Sequence, residues 1–275
     1  MNILLRSCLL IYSLVSCMTP CHGQASFPFR GSLIIIGGGD IPDTVYQIFA
    51  QKIGGKDQSI VYIPTASEDE PWIREGKHLD KFTSRGFTNL KTVHTRSKTK
   101  ANEAEFPDMI RNAKGIFLGG GDQENLARIY GGTATHKAML ELLERGGVIM
   151  GTSAGATIMG SLLIGGDHRK KPNIPVDLGE GFSFMKQTAI DQHVLARNRQ
   201  FDLIPVLEKY PNTLGIALDE STAALVEGDS ITVVGESYML IFDQHDWSRQ
   251  VKEWGRVYQP FKIFSPGIGY QFRKN

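Results

Sequence analysis

The 275-residue sequence predicts an α/β fold, with a mostly parallel sheet flanked by helices on both faces and antiparallel strands at its C-terminal end. Three observations predict it. From residue 31 onward, short runs that are apolar at every position alternate with longer amphipathic segments. Strands of that kind are buried on both faces, as in parallel sheets covered by helices. Three of the runs end in glycine-rich turns at Gly37, Gly119 and Gly151; the carboxyl ends of strands build the site in such sheets, so these turns should share one crevice. After residue 222, the runs 223–226, 231–234 and 238–241 follow one another with only turn residues between, the mark of antiparallel strands.

Taken in order, residues 32–36 (Ser-Leu-Ile-Ile-Ile) form a strand closed by Gly-Gly-Gly-Asp, and residues 43–53 form a helix with Val45, Ile48 and Phe49 on one face. Residues 59–63 are a strand, 71–85 a helix, 90–94 a strand and 101–112 a helix. Residues 115–118 are a strand closed by a second Gly-Gly-Gly-Asp, and 135–145 a helix with Met139, Leu142 and Leu143 inward. A strand then leads into residues 151–156, Gly-Thr-Ser-Ala-Gly-Ala. Beyond it come a polar, basic loop at 165–172, a short strand at 188–190 ending in Asp-Gln-His, and Arg197 and Arg199 at a helix start. The strand at 213–218 ends in Asp219 and Glu220. No linker or low-complexity tract follows residue 31, so residues 26–275 read as one domain.

The first 25 residues read as a leader: Arg6, then the apolar run 8–15, then small residues, a secretory signal pattern too short to span a membrane. Two endings compete. Gly23-Gln24-Ala25 suits an ordinary signal peptidase, and Leu14-Val15-Ser16-Cys17 resembles a bacterial lipobox whose cysteine is lipidated. Either places the protein outside the cytoplasm, secreted or periplasmic. All three cysteines (Cys8, Cys17, Cys21) fall in the leader, so the mature chain should hold no disulfide, thiolate metal site or cysteine nucleophile. Without Arg6 the chain has 29 basic and 29 acidic side chains, a balance that argues against nucleic acid or an anionic membrane as partner. The glycine loops are not nucleotide sites either. Pro42 stands where a third dinucleotide-binding glycine belongs, and no Gly-Lys-Ser/Thr follows either loop.

The chemistry centres on Ser153. In G-x-S-x-G the serine sits on a sharp strand-to-helix turn, the nucleophile elbow, and the helix that follows aims free amides at the same point. The amides of Ala154 and of Gly120, in the glycine loop, are then candidate oxyanion donors. A serine hydroxyl needs a base within hydrogen-bond reach, itself held by a third group. Of the seven histidines, His193 directly follows a strand end at the elbow's sheet edge, whereas His78, His94 and His136 have no polar company in the local sequence. The orienting carboxylate is Asp219 or Glu220. Both follow the strand 214–218, and alternate residues point to opposite sides.

Six ordered motifs carry a resemblance: 35–40 (Ile-Ile-Gly-Gly-Gly-Asp), 63–67 (Ile-Pro-Thr-Ala-Ser), 118–123 (Leu-Gly-Gly-Gly-Asp-Gln), 151–156, 191–199 (Asp-Gln-His-x-x-x-Arg-x-Arg) and 215–223 (Gly-Ile-Ala-Leu-Asp-Glu-Ser-Thr-Ala). Together they resemble the cyanophycinases, and more distantly the aspartyl dipeptidases of the same serine peptidase family. The resemblance implies a fold related to class I glutamine amidotransferases, a Ser153–His193–Glu220 triad, and no metal or other cofactor. It also implies a substrate pocket lined by Gln123, Asp191, Gln192, Arg197 and Arg199. The substrate it implies is cyanophycin, a poly-aspartate backbone with arginine on each side chain, cut from its end into β-aspartyl-arginine dipeptides. Arg197 and Arg199 would then fork onto aspartyl carboxylates, with the acidic and amide groups receiving guanidinium. One departure stands out: Asp202 occupies a position where the family is expected to carry a further arginine. The alternatives are an α-aspartyl or isoaspartyl dipeptidase and, in another class, a binding protein without turnover. The antiparallel tail offers a homodimer contact.

Overall fold

A computed structural model describes residues 24–164, 178–243 and 260–272. The leader through residue 23, the basic loop 165–172, Gln244 and His245 lie outside them.

The first half alternates as its sequence predicts. β1 (Ser32–Ile36) is followed by α1 (Asp43–Ile53), β2 (Ile60–Ile63), α2 (Glu70–Arg74), α3 (Asp80–Thr83) and β3 (Leu90–Thr92). Then come α4 (Glu105–Arg111), β4 (Gly115–Leu118), α5 (Gln123–Tyr130), α6 (Ala134–Glu144), β5 (Val148–Thr152) and α7 (Ala154–Thr157). The single helix expected at 71–85 is broken. Gly76 takes a left-handed conformation (φ 75°) that ends one helical segment and reopens another. The helix α5, not anticipated, is started by Asp122, whose carboxylate accepts the Glu124 amide at 2.8 Å.

The second half contains β6 (Leu162–Ile164), β7 (Leu178–Glu180), β8 (Thr188–Gln192), α8 (Leu203–Lys209) and β9 (Leu214–Leu218). It ends with β10 (Thr222–Glu227), β11 (Ser230–Gly235), β12 (Met239–Phe242), β13 (Lys262–Phe264) and β14 (Gly269–Gln271). Arg197 and Arg199 lie in the turn before α8, not on a helix: the first residue of α8 is Leu203.

The strands divide between two sheets. The larger has the order β14-β11-β10-β1-β5-β4-β2-β3, with β1, β5, β4, β2 and β3 parallel. The second has the order β13-β12-β9-β8-β6-β7, with a parallel centre of β6, β8 and β9. His193 therefore leaves a different sheet from the one that carries the elbow, against the expectation of a shared edge. One apolar cluster joins Leu33 and Ile35 of β1 with Ile216 and Leu218 of β9 and Met239 and Ile241 of β12. The opposite face of β1 packs Ile34 and Ile36 against Val45, Tyr46 and Phe49 of α1. The far face of the second sheet is covered by Leu203, Val206 and Leu207 of α8. A strand apolar on both faces can be covered by helices or by another sheet, and both occur here. Each side chain so buried contributes about 1.5–3 kcal/mol, which anchors β1 firmly next to the site.

Register positions the functional loops. Ile36 pairs with Thr152 and Leu118 with Gly151, so the carboxyl ends of β1, β5 and β4 are neighbours. The three glycine turns meet there.

Candidate active site

Ser153 occupies the turn between β5 and α7 with φ 53° and ψ −115°, a region that L-residues rarely adopt. Its amide donates to the Ile36 carbonyl at 3.0 Å, tying the elbow to the neighbouring strand. Gly155 is required by contact: a methyl group there would lie 2.2 Å from the Leu118 carbonyl oxygen.

The Ser153 hydroxyl is 3.0 Å from His193 Nε2. His193 Nδ1 lies 2.5 Å from Glu220 Oε1. An ionised carboxylate only accepts, so Nδ1 carries the proton and donates it to Glu220, leaving the Nε2 lone pair to accept the serine O–H. Burial lowers the pKa of His193, with Glu220 pulling the other way, a shift that favours the neutral imidazole. Asp219 faces elsewhere. Its Oδ1 accepts the amides of Leu195 and Ala196 at 3.1 and 3.0 Å, and its Oδ2 accepts the Ser237 hydroxyl at 2.7 Å. Of the two adjacent carboxylates, Glu220 meets the imidazole and Asp219 holds the turn that follows it.

The glycine loop after β1 links the two sheets at this point. The Gly37 carbonyl accepts the His193 amide at 2.8 Å, and the Gly38 carbonyl accepts the Ser221 amide at 3.0 Å. Gly38 (φ 107°) lies against the imidazole, where a methyl group would stand 2.1 Å from Cε1. The loop lies against both the imidazole and the Glu220 side chain, a placement invisible in its sequence. The second glycine loop lies on the other side of the serine: a methyl group on Gly120 would be 3.4 Å from Ser153 Cβ and 3.9 Å from its Oγ. Ala154 is the first residue of α7, so its amide has no partner within the helix.

Residues 33–234 match the sequence profile of peptidase family S51. The chain belongs to peptidase family S51. It is accordingly a serine-type peptidase, a hydrolase. A cyanophycinase from Geminocystis herdmanii (strain PCC 6308) is 33% identical over 223 residues, covering 78% of this chain and 81% of that protein. A cyanophycinase from Synechococcus elongatus is 30% identical over 243 residues, covering 86% and 75%. The crystal structure of a peptidase from an acI-B1 Actinobacterium shares the fold, with a TM-score of 0.70 at 22% identity over 90% of this chain and 99% of that one.

The other residues expected to line a substrate pocket fall in varied surroundings. Gln123, buried at the start of α5, donates its side-chain amide to the Ile164 carbonyl at 2.8 Å. Gln192 is buried, and its side-chain oxygen has no partner among the described residues. Arg197 is exposed and forms no ion pair among the described residues. Arg199 is not free to fork onto a substrate carboxylate in the way expected of it. It is buried, pairing through Nη2 with Asp191 Oδ1 at 2.8 Å and through Nε with Asp202 Oδ2 at 3.1 Å. Asp202 thus gives Arg199 a second carboxylate partner beside Asp191, a consequence of the i,i+3 spacing that only the turn geometry reveals.

Burial pushes the Asp191 carboxyl up to about 6, against the pull of the Arg199 guanidinium. Replacing Arg199 by methionine would leave this carboxylate buried without its counter-charge, a loss of about 3–5 kcal/mol at neutral pH. The folded-state pKa lies above the unfolded one, so the ionised form costs stability once pH has risen through the folded value. The deficit of Arg199→Met in urea denaturation should therefore shrink at pH below the ordinary aspartate value. An equal deficit at both pH values would rule out charge as its cause.

The other histidines also depart from expectation. His94 Nδ1 meets Thr65 Oγ1 at 3.0 Å and its Nε2 meets Glu70 at 3.2 Å. His78 Nε2 meets Thr92 Oγ1 at 2.7 Å, and His136 Nε2 meets the Phe182 carbonyl at 2.9 Å. Their partners come from segments 14 or more positions away. The local sequence holds no sign of them.

Proposed function

We propose that the chain is an exopeptidase of the cyanophycinase type, acting through Ser153, His193 and Glu220. The observation that carries this reading is the continuous hydrogen-bonded series from the Ser153 hydroxyl through His193 to Glu220. As Ser153 Oγ bonds to the carbonyl carbon next to an aspartyl residue, its proton passes to His193 Nε2 and the carbonyl becomes an oxyanion held by the amides of Gly120 and Ala154. The imidazolium, steadied by Glu220, returns that proton to the departing amine as the C–N bond breaks. Water then repeats the sequence on the acyl-enzyme and restores the serine hydroxyl.

The substrate proposed is cyanophycin and the product β-aspartyl-arginine. The relatives named above support that choice, and Arg197, exposed four residues after His193, offers a cation for an aspartyl carboxylate. A second reading, an α-aspartyl or isoaspartyl dipeptidase, is favoured by one observation: Arg199 is already neutralised by Asp191 and Asp202. Fewer free cations suit a short substrate better than a polyanionic backbone. Incubating the protein separately with cyanophycin and with α- and β-aspartyl dipeptides decides between them. The expected result is β-aspartyl-arginine released from the polymer. Intact polymer together with cleaved dipeptides would replace the first reading by the second.

A further inference from the structure

We infer that Arg96 is a positioning residue for the oxyanion-binding loop, resting on the role proposed above for Gly120. Two hydrogen bonds fix that loop from below: the Gly119 amide donates to the Ile63 carbonyl at 3.0 Å, and the Asp122 amide to the Ala66 carbonyl at 2.9 Å. Between them Gly121 (φ 136°) lies directly on the Ala66 peptide, where a methyl group would stand 2.2 Å from its carbonyl oxygen. The peptides of residues 65–67 are therefore the floor on which Gly120 is set, and any shift in that floor shifts the Gly120 amide.

Arg96 is what holds the floor. Its Nη1 donates to the Thr65 carbonyl at 2.6 Å and its Nη2 to the Ser67 carbonyl, one on each side of Ala66. Its Nε donates to Glu70 Oε1 at 2.6 Å, which sets the plane of the guanidinium. Three directed donors in a rigid fork are a property of arginine alone; an ammonium is a single point with rotating donors. A second set of contacts reaches the same place from behind. His94 donates through Nε2 to Glu70 and accepts through Nδ1 from the Thr65 hydroxyl, and Tyr130 OH is 2.9 Å from that hydroxyl. Thr65 is thereby held at both its carbonyl and its side chain. Among the described residues Arg96 makes no hydrogen bond or ion pair with Ser153, His193 or Glu220, so its effect on the reaction passes through the loop.

The test uses a serine-directed fluorophosphonate, whose phosphoryl oxygen takes the place of the oxyanion, alongside turnover of cyanophycin. Arg96→Ala should lower both kcat and the rate of Ser153 phosphonylation by about 10²-fold, the cost of misplacing a catalytic group by roughly 1 Å, with KM changed less than about twofold. Arg96→Lys should recover little of either. Because the Arg96 side chain is 34% exposed, added guanidinium can reach the vacated place, and millimolar guanidinium should restore part of the rate to Arg96→Ala but not to Arg96→Lys. A purely structural role predicts a lower thermal midpoint with phosphonylation and kcat per folded molecule unchanged in either variant; that result overturns the inference. If Arg96→Ala does not fold, wild-type rates in folded Arg96→Lys overturn it equally. Failure of the underlying reading looks different: wild-type protein would then not be labelled at Ser153 at all.

Discussion

Ser153→Ala is expected to lower peptidase turnover by about 10⁶-fold, the loss seen when a serine nucleophile of a triad is removed. In the proposed mechanism the hydroxyl is the group that forms the acyl bond, a role no neighbouring side chain of the site takes. The backbone should be unaffected, since alanine keeps the Cβ and the elbow is held by the amide of residue 153 on the Ile36 carbonyl and by the close approach of Gly155 to Leu118. The thermal midpoint should therefore stay close to that of the wild type. Some rate above the uncatalysed reaction should persist, because the amides of Gly120 and Ala154 remain. Intact-mass analysis after fluorophosphonate treatment should show one adduct on the wild type and none on the variant. Turnover near the wild-type rate would place the nucleophile elsewhere.

Glu220→Gln should cost about 10⁴-fold in kcat while leaving the fold intact, the size of effect expected when the group orienting the base loses its charge. The 2.5 Å contact between Nδ1 and Oε1 fixes which nitrogen carries the proton. A glutamine there can turn its NH₂ toward Nδ1, which moves the imidazole proton to Nε2 and points a donor at the Ser153 hydroxyl. The pH profile supplies a second readout. The neutral imidazole is the active form, so kcat/KM is lost as pH falls through the His193 pKa, which burial already holds below 6.5. Glu220 raises that pKa, and its neutralisation should move the acid limb further down in pH. An intact rate, with the loss appearing in Asp219→Asn instead, would assign the orienting role to Asp219 and contradict the geometry.

How far the sequence reached can be judged from particular elements. β1, β2, β4 and β5 were legible because each is a short, mostly apolar run bounded by glycine or polar residues, a signal carried by adjacent positions. The elbow was legible for the same reason: its glycines are needed by contacts within a few residues and one neighbouring strand. The division into two sheets was not. Leu33 and Ile216 are equally apolar, and nothing in either run says whether a helix or another strand covers it. The break at Gly76 and the start of α5 at Asp122 had local signals, a glycine inside a helical pattern and an aspartate before it, that the apolar periodicity masked.

The site divides along the same line. Ser153, His193 and the pair Asp219 and Glu220 were placed by position at strand ends; which carboxylate faces the imidazole depended on the turn after β9. Arg199 had a charge suited to a substrate and proved to be occupied by Asp191 and Asp202. Gly38 and Arg96 were invisible as site residues, since the groups they touch lie about 155 and 30 positions away in the chain.

By itself the sequence determined the alternation of strands and helices, the strained serine turn and the set of residues able to form a triad, because each depends on periodicity or sterics over a few neighbouring positions. The tertiary structure alone decided that His193 and Glu220 follow strands of a second sheet, that a glycine loop lies against both, and that Arg199 is paired internally. Those outcomes depend on which distant surfaces bury one another and on directed hydrogen bonds between them, neither of which leaves a trace in the order of residues along one segment.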